Sequence, residues 1–385
     1  MTTGLGATIV RAGRRLLSSL PALFGVLVFT FLLMRVLPGD PAVFFASGPN
    51  AGKEEIEQIR KQMGLDRSVP EQLVFYLSDI GHGNLGRSMM TGQPVLKDLR
   101  ERLPASLELT FTALLIALIA AVPLGVVAAL KPGSIVDHGV RLFCALGVCV
   151  PTFVSGLLLI YVFYYLLGLA PDPTGRIDVF TSLPPQRTGF LSIDFLLAGD
   201  IEGWWAACKQ LILPAVSMAL FVIAPLARIT RASMLVSLGS DFVRTARSVG
   251  LSWHKVVVTY ALRNAILPVI TIAGIVFSTM LGANVLVEKV FSWPGVASYA
   301  LDALLSSDYA PVQGFVLLMA SLFCWSISWS TSATALPIPG CRSNDQRNSS
   351  PFGLDSARQS AHGRCRGRRC AVRPDCDLRA VDRAL

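Results

Sequence analysis

The residues best able to do covalent or metal chemistry are scattered along this sequence. The four histidines (His82, His138, His254 and His362) lie in separate regions, and no H-E-x-x-H or G-x-S-x-G pattern occurs. The eight cysteines form no C-x-x-C pair and show no metal-ligand spacing. None of the lysines is followed by Ser or Thr, so there is no Walker A loop for ATP phosphates. We therefore predict a protein that is not an enzyme and holds no cofactor or metal, with any ATP bound by partner subunits.

The most informative spacing lies in a polar, basic interval, residues 240–268, between two apolar runs that are each long enough to cross a bilayer. Asp241 stands where a helix N-terminus favours negative charge, and Gly250 stands where a helix end favours positive φ. Ser252 can then cap a second helix. The predicted apolar face of the first helix has i, i+4, i+7 spacing: Phe242, Ala246 and Val249. The pattern predicts a compact helix pair outside the membrane, whose chemistry would be noncovalent docking.

This interval resembles the coupling loop of permease subunits of binding-protein-dependent ABC importers, whose signature is E-A-A-x-x-x-G followed by L-P. Here Arg244, Thr245 and Ala246 stand where Glu-Ala-Ala would be, followed by Gly250 and then by Leu-Pro at 267–268. The replaced Glu and the longer spacing to the proline both resemble the dipeptide/oligopeptide branch. The resemblance extends to the segments that begin LPGDPA and NLGRS.

The resemblance implies an ATPase-coupling role for one set of residues: Asp241, Arg244, Thr245, Ala246, Arg247, Gly250 and Leu251. Small side chains at 246 and 250 would allow close approach to the ATPase, and the arginines would contact the rim of its groove. It also implies a heterodimer with a sister permease, two ATPase subunits and an extracytoplasmic peptide-binding protein. The implied substrates are di- or oligopeptides, with a nickel chelate or glutathione as the alternative.

Composition places the chain in a membrane. It is 52% hydrophobic and 15% charged, with a mean hydropathy of +0.56, whereas about a quarter of a soluble domain is charged. The net charge of +9 arises from residues that flank apolar runs. These basic residues form no continuous basic patch on a soluble domain, so nucleic acid is excluded as a partner and membrane lipid is expected.

The apolar runs predict an all-α membrane protein with six transmembrane helices, an extracytoplasmic insert after the first, and a cytoplasmic coupling-helix loop between the fourth and fifth. The predicted divisions are a cytoplasmic N-terminus 1–15, a first span 16–37, an insert 38–106, a permease core 107–323 with a coupling loop 228–265, and an aberrant tail 324–385. The core spans are predicted at 107–130, 142–167, 211–227 and 266–287, with a sixth that begins at Val312. Within the insert, a surface helix is expected at 53–63 and a turn at 84–88.

Basic residues predict the orientation of these spans. Arg11, Arg14 and Arg15 precede the first run, and six basic residues and one acid lie between Arg228 and Arg263. Both segments are therefore expected in the cytoplasm. The resemblance further implies a chain that passes several times through a bacterial cytoplasmic (inner) membrane. Arg35 can snorkel to the outer interface, and the sequence assigns it no function.

Prolines mark candidate helix bends along a transport pathway, where freed carbonyls can face a polar solute: Pro123, Pro151 and Pro225. Few ionisable residues lie inside the spans, which disfavours an ion-coupled carrier. A membrane receptor or scaffold that signals through the same loop without transport remains the alternative from another class.

The carboxyl end departs from the pattern of a sixth span. From Cys324 onward the chain has ten Arg but no Lys or Glu, and its apolar run stops at Phe323. A reading-frame shift near Phe323 would explain this, because codons for Cys324 to Ser332, read one base earlier, can encode an apolar helix end. We therefore expect a defective sixth span and a disordered tail from about Ser330 to Leu385.

Overall fold

The described part of the chain is all helical, apart from one isolated bridge between Arg87 and Pro94. The structure is a computed structural model that describes residues 3–36, 42, 52–62, 64, 66–177 and 182–333. The helices are α1 (Thr3–Val36), α2 (Lys53–Gln62), α3 (Val69–Gly81), α4 (Val95–Leu130), α5 (Ile135–Cys149), α6 (Thr152–Leu159, continued by a π-helix Ile160–Leu166), α7 (Leu191–Ala198), α8 (Ile201–Leu238), α9 (Asp241–Ser248), α10 (Trp253–Ala283), α11 (Val285–Val290), α12 (Val296–Leu305) and α13 (Tyr309–Ala333). The predicted all-α class is confirmed.

Four helices are long and apolar enough to cross a membrane: α4, α8, α10 and the Tyr309–Ser326 part of α13. The pair α5 and α6 would make a fifth span if its two arms, bent by 99°, count as one. The first predicted span falls within α1, whose apolar part Leu20–Val36 is shorter. Several spans are thus present, whereas the predicted number of six is not established by length and composition.

The long helices extend well beyond the predicted spans. α4 begins at Val95 rather than at 107, α8 runs from Ile201 to Leu238 rather than over 211–227, and α10 begins at Trp253 rather than at 266. Hydropathy detects only the part of a helix that needs an apolar solvent, and helical geometry continues into the polar turns on either side. The predicted insert and coupling loop therefore include turns of these long helices.

The three candidate prolines differ in what they do to the backbone. Pro151 precedes α6 with φ −56° and ψ 142°, at the 99° bend between α5 and α6, so the predicted break is confirmed. Pro123 and Pro225 lie inside α4 and α8, which continue past them. Neither of these two prolines ends its helix.

The core is built from small residues where α4 crosses α8. On α4, Ala113, Ala117 and Ala121 recur every fourth position and are fully buried. A β-carbon at Gly125 would lie 2.6 Å from Cβ of Thr230 on α8, so only glycine fits at that crossing. Small residues let membrane helices approach closely and gain dispersion energy.

The insert is folded against the core. The surface helix expected at 53–63 is α2, which confirms that prediction. The turn expected at 84–88 lies a few residues later, at 89–91. There the chain reverses, so that Arg87 pairs with Pro94. This turn is fixed to the core by Asp308, whose Oδ2 accepts hydrogen bonds from the Ser88 hydroxyl and the Met89 amide, at 2.9 and 2.7 Å. The expected opening of the insert at LPGDPA lies, except for its last alanine, outside the described residues.

The last helix, α13, begins at Tyr309 rather than at Val312 and continues past Phe323 to Ala333. The expected early end of this helix at Phe323 is therefore wrong. No glycine or proline interrupts the chain between 323 and 333, and its Ser, Trp and Ile residues have intermediate helix propensity. The predicted disordered tail lies, from residue 334 onward, outside the described residues.

Candidate coupling site

The predicted coupling helix is present as α9, a short helix that follows α8 after two residues. Its C-terminus has the Schellman arrangement. The amide of Gly250 donates to the carbonyl of Arg247 at 3.0 Å, and the amide of Leu251 donates to the carbonyl of Ala246 at 3.3 Å. These bonds satisfy carbonyls that the end of a helix leaves without partners.

Gly250 has φ +84°, which confirms the conformation expected of this position. A β-carbon placed there would meet nothing within 4 Å. The requirement for glycine is therefore one of backbone conformation alone, since an L-residue loses about 1–2 kcal/mol in left-handed geometry.

The buried face of α9 differs from the predicted one. Val243 and Ala246 are buried, whereas Phe242 and Val249 are exposed. The predicted i, i+4, i+7 face is not the buried one, because α9 packs against the ends of α8 and α10 through Val243 and Ala246. Ala246 thus packs within its own chain and does not face outward.

Five large side chains on and beside α9 are exposed, and we call them together the docking surface: Phe242, Arg244, Arg247, Val249 and Trp253. The Arg247 guanidinium lies 5.1 Å from the centre of the Trp253 ring, a cation–π distance. Arg244 is 3.4 Å from Asp241, and both side chains are mostly exposed, so that pair contributes little stability. Aromatic and arginine side chains together are typical of the centre of a protein interface.

The expected second helix is the start of α10 rather than a separate element. α10 begins at Trp253 and continues to Ala283, with a π-helical stretch over Val256–Leu262. Ser252 precedes the helix with extended geometry, but its side chain makes no capping hydrogen bond. A movement of the docking surface would therefore pass directly into a membrane-spanning helix.

One buried cluster, which we call the coupling core, fixes α9 to three long helices. Ala129 of α4, Met234 of α8, and Val256 and Ala261 of α10 pack with Val243 in this cluster. Leu251 is partly buried against it. Of the seven residues predicted for coupling, Ala246 and Leu251 thus anchor the helix. The other five remain exposed: Asp241, Arg244, Thr245, Arg247 and Gly250.

An ion pair that the sequence did not predict joins α5 to α8 near the end of α8 that precedes α9. Nε and Nη2 of Arg231 donate to Oδ1 and Oδ2 of Asp137 at 2.7 and 2.8 Å, and Asp137 is fully buried. The amide of Gly133 donates to the same carboxylate at 2.9 Å. The available signal in the sequence was an aspartate shortly before the start of one predicted span and an arginine shortly after the end of another. A buried carboxylate is commonly paired with an arginine that donates two hydrogen bonds.

An apolar cavity of about 220 Å³ lies near two of the predicted pathway prolines. Its lining includes Pro225 of α8 and Thr152, the residue after Pro151. Pro123 is exposed on α4 and does not line it. Among the residues that the structure describes, no group of three or more His, Cys, Asp or Glu side chains is placed to hold a metal ion.

Comparison with known proteins identifies related sequences over most of the chain. Residues 121–333 match the family model of the binding-protein-dependent transport system inner membrane component, and residues 10–110 match the model of the N-terminal part of such membrane components. A probable D,D-dipeptide transport system permease protein of Escherichia coli K12 is 40% identical over 77% of this chain and 86% of its own length. A di/tripeptide transport system permease protein of Pseudomonas aeruginosa is 40% identical over 80% of this chain and 91% of its own. A dipeptide transport system permease protein of E. coli K12 is 37% identical over the same shares.

Proposed function

This chain belongs to the family of binding-protein-dependent transport system inner membrane components, and we propose that it is the permease subunit of an ABC importer for di- or oligopeptides. The observation that carries the proposal is the 37–40% identity with three permeases named for peptide transport, over about four fifths of this chain. None of these relatives is named as a receptor, a scaffold or a carrier of a nickel chelate or glutathione, so the alternatives are not favoured.

The proposed role of α9 is to receive the movement of an ATPase subunit. Its docking surface exposes the large apolar side chains of Phe242, Val249 and Trp253. Exposed apolar surface of this kind typically marks a site where a partner protein binds. The arginines on the same surface can pair with acidic groups at the rim of an ATPase groove. Because the coupling core joins α9 to α4, α8 and α10, docking would bias those three helices together between inward- and outward-facing states.

The proposed topology has six spans and a cytoplasmic N-terminus. The bent pair α5 and α6 counts as the third span, and α1 and α13 supply the first and the sixth. The basic residues around α9 support a cytoplasmic position for the docking surface. The insert and the segment from α11 to α12 would then lie on the extracytoplasmic side, where a peptide-binding protein delivers its ligand.

The proposed assembly contains a sister permease, two ATPase subunits and the peptide-binding protein. ATP binds to the ATPase subunits, and this chain itself needs no cofactor. The absence of a Walker A sequence from this chain supports that division of labour.

Uptake in a strain that lacks the chromosomal gene tests the proposed function. A plasmid copy of the full operon should restore uptake of a radiolabelled dipeptide. The same operon with a Walker A lysine variant in the ATPase should not restore it, although the permease is still inserted. Uptake that is equal with and without this chain, in cells shown to contain the other subunits, would contradict the proposal.

A further inference from the structure

A cavity of about 370 Å³ lies where the apolar part of α1 ends, between that helix, the insert and the start of α13. We call it the cationic cavity. Its principal lining residues are Phe31, Arg35, Lys61, Arg67, Tyr76 and Tyr309. They come from parts of the chain far apart in sequence, so the fold assembles the cavity. The coupling site does not include it.

The charge of the cavity is positive. Arg35, Lys61 and Arg67 line it, with Asp79 as the only acidic residue among the described lining residues. No ion pair joins any of the three cations to a carboxylate in the part of the chain that the structure describes. The local field therefore favours an anionic ligand over a cationic or neutral one.

The arginines are held in place but retain hydrogen-bonding capacity. The Arg35 guanidinium lies 5.1 Å from the centre of the Phe31 ring, and that of Arg67 lies 4.3 Å from the centre of the Phe75 ring. The Nε atom of Arg35 is buried and has no hydrogen-bond partner. A buried donor without a partner is unfavourable, so an acceptor oxygen in the cavity would relieve it.

The surroundings of the cavity are those of a membrane interface. On the same segment of α1 as Arg35, Phe29, Leu33 and Val36 are exposed, and on α3, Val74 and Phe75 are exposed. α3 has no buried residue at all. Aromatic rings with arginine and lysine at the end of an apolar helix segment are typical of the boundary between acyl chains and headgroups. Tyr76 is partly buried, and the loss of solvent raises its pKa to about 12, so its hydroxyl stays neutral and can donate a hydrogen bond.

We propose that the cationic cavity binds the phosphate headgroup of an anionic phospholipid, with the acyl chains against the exposed apolar residues of α1 and α3. A phosphodiester offers several acceptor oxygens at a fixed spacing, which suits the planar donor groups of Arg35 and Arg67. Basic pockets between membrane helices bind such headgroups by the same chemistry. The inference requires only that the chain spans a membrane and does not depend on the transported solute.

Thermal unfolding of the full purified complex in detergent tests the proposal, because a ligand that binds only the folded state raises the midpoint with its concentration. Phosphatidylglycerol, phosphatidylcholine and inorganic phosphate are titrated separately. Phosphatidylglycerol should raise the midpoint, and its apparent affinity should fall at least tenfold in both Arg35→Gln and Arg67→Gln. Lys53→Gln, which removes one positive charge from the same insert outside the cavity, should bind as the unaltered protein does.

Three results would overturn the proposal. Equal stabilisation by phosphatidylcholine would show that the headgroup charge is not recognised. Stabilisation by inorganic phosphate equal to that by phosphatidylglycerol would assign the cavity to a free oxyanion. Unchanged phosphatidylglycerol affinity in both arginine variants, with unfolding midpoints close to that of the unaltered protein without lipid, would place the lipid elsewhere.

Discussion

The carboxylate of Glu288 lies directly against Gly295, so that a β-carbon at position 295 would overlap all three terminal atoms of the glutamate side chain. Glu288 is fully buried, and its Oε2 accepts a hydrogen bond from the amide of Ser298 at 2.8 Å. Its Oε1 accepts from the hydroxyl of Ser106 on α4, which itself accepts from the amide of Val296 at 2.9 Å. The glutamate thus fastens the start of α12 to α4.

The close approach predicts a large cost for one added methyl group. Gly295→Ala should destabilise the protein by about 2 kcal/mol or more, because the carboxylate that it displaces is buried and accepts hydrogen bonds from Ser106 and Ser298. Gly282→Ala in α10 is the matched control, since a β-carbon there meets nothing within 4 Å. That change should leave stability equal or slightly raised. Thermal unfolding in detergent measures both, and equal midpoints for the two variants would contradict the packing at 295.

The same glutamate predicts a pH dependence of stability. Burial raises the pKa of Glu288 to about 7, from 4.5. An acid whose pKa is higher in the folded state binds protons more tightly there, so its contribution is largest at low pH and is lost as pH rises from about 4.5 through 7. The loss is on the order of 3 kcal/mol, at about 1.4 kcal/mol per pKa unit.

Glu288→Gln should remove this slope while it keeps the shape of the side chain. Nδ2 of the neighbouring Asn284 donates to Oε1 of Glu288 at 3.2 Å, and its Oδ1 is buried without a partner. Rotation of the Asn284 amide by 180° would therefore let its Oδ1 accept from a glutamine at position 288. Unfolding midpoints at pH 5 and pH 8 are compared between the two proteins. The unaltered protein should lose stability relative to the variant at the higher pH, and parallel pH curves would show that Glu288 does not titrate in this range.

Changes in α9 should separate ATP hydrolysis from transport. Gly250→Val forces a β-branched residue into φ +84°, and Ala246→Leu places a large side chain in the coupling core. Both variants should insert in the membrane, and the complex should still hydrolyse ATP at its basal rate. Both should lose peptide uptake and the stimulation of that ATPase activity by the loaded binding protein.

The control for Gly250→Val is Gly250→Asn, because asparagine tolerates left-handed geometry and no neighbour lies within 4 Å of a β-carbon there. It should retain most of the uptake. Normal uptake in both Gly250→Val and Ala246→Leu would remove the basis for a coupling role of α9.

Orientation can be measured by labelling single cysteines with an impermeant thiol reagent in intact cells. In a variant without native cysteines, Gln186→Cys should react from outside and Ser252→Cys only after the cells are opened. The sequence also suggests Asn50 and Asp200 as external positions. Asn50 lies outside the described residues, and Oδ1 of Asp200 caps α8 by accepting from the amide of Gly203 at 2.9 Å. Labelling of Ser252→Cys in intact cells would invert the proposed topology.

The sequence was sufficient for the coupling helix and its glycine, but not for the way in which that helix packs. Positive φ at Gly250 follows from local chemistry, because glycine is the residue that adopts it at least cost. Which face of α9 is buried depends on α8 and α10, whose packing no local pattern specifies. No local pattern predicts the pair Asp137–Arg231 either, since its residues are distant in sequence and meet only when α5 folds against α8.

The reading frame of the carboxyl end remains a prediction that nucleotide sequence can decide. Trp325 and Trp329 have one codon each, so a frame read one base earlier forces Leu-Val steps when the adjacent serines use TCN codons and the preceding base is C. Resequencing should show that the bases after Phe323 can encode an apolar continuation followed by Asp-Pro-Arg. A corrected gene should then yield a more stable protein. Bases that cannot encode that continuation would exclude the shift.

The buried pair between Asp137 and Arg231 has a consequence for how such a molecule can move. Separating the two charges would break both hydrogen bonds from Arg231 and leave the Asp137 carboxylate with the exposed Arg141, 3.6 Å away, and the Gly133 amide as its partners. We therefore expect α5 and α8 to move as one unit when the long helices tilt relative to one another. At the far end of α5, away from this ion pair, the chain turns through 99° at Pro151. We expect any change in the angle between α5 and α6 to take place at that corner.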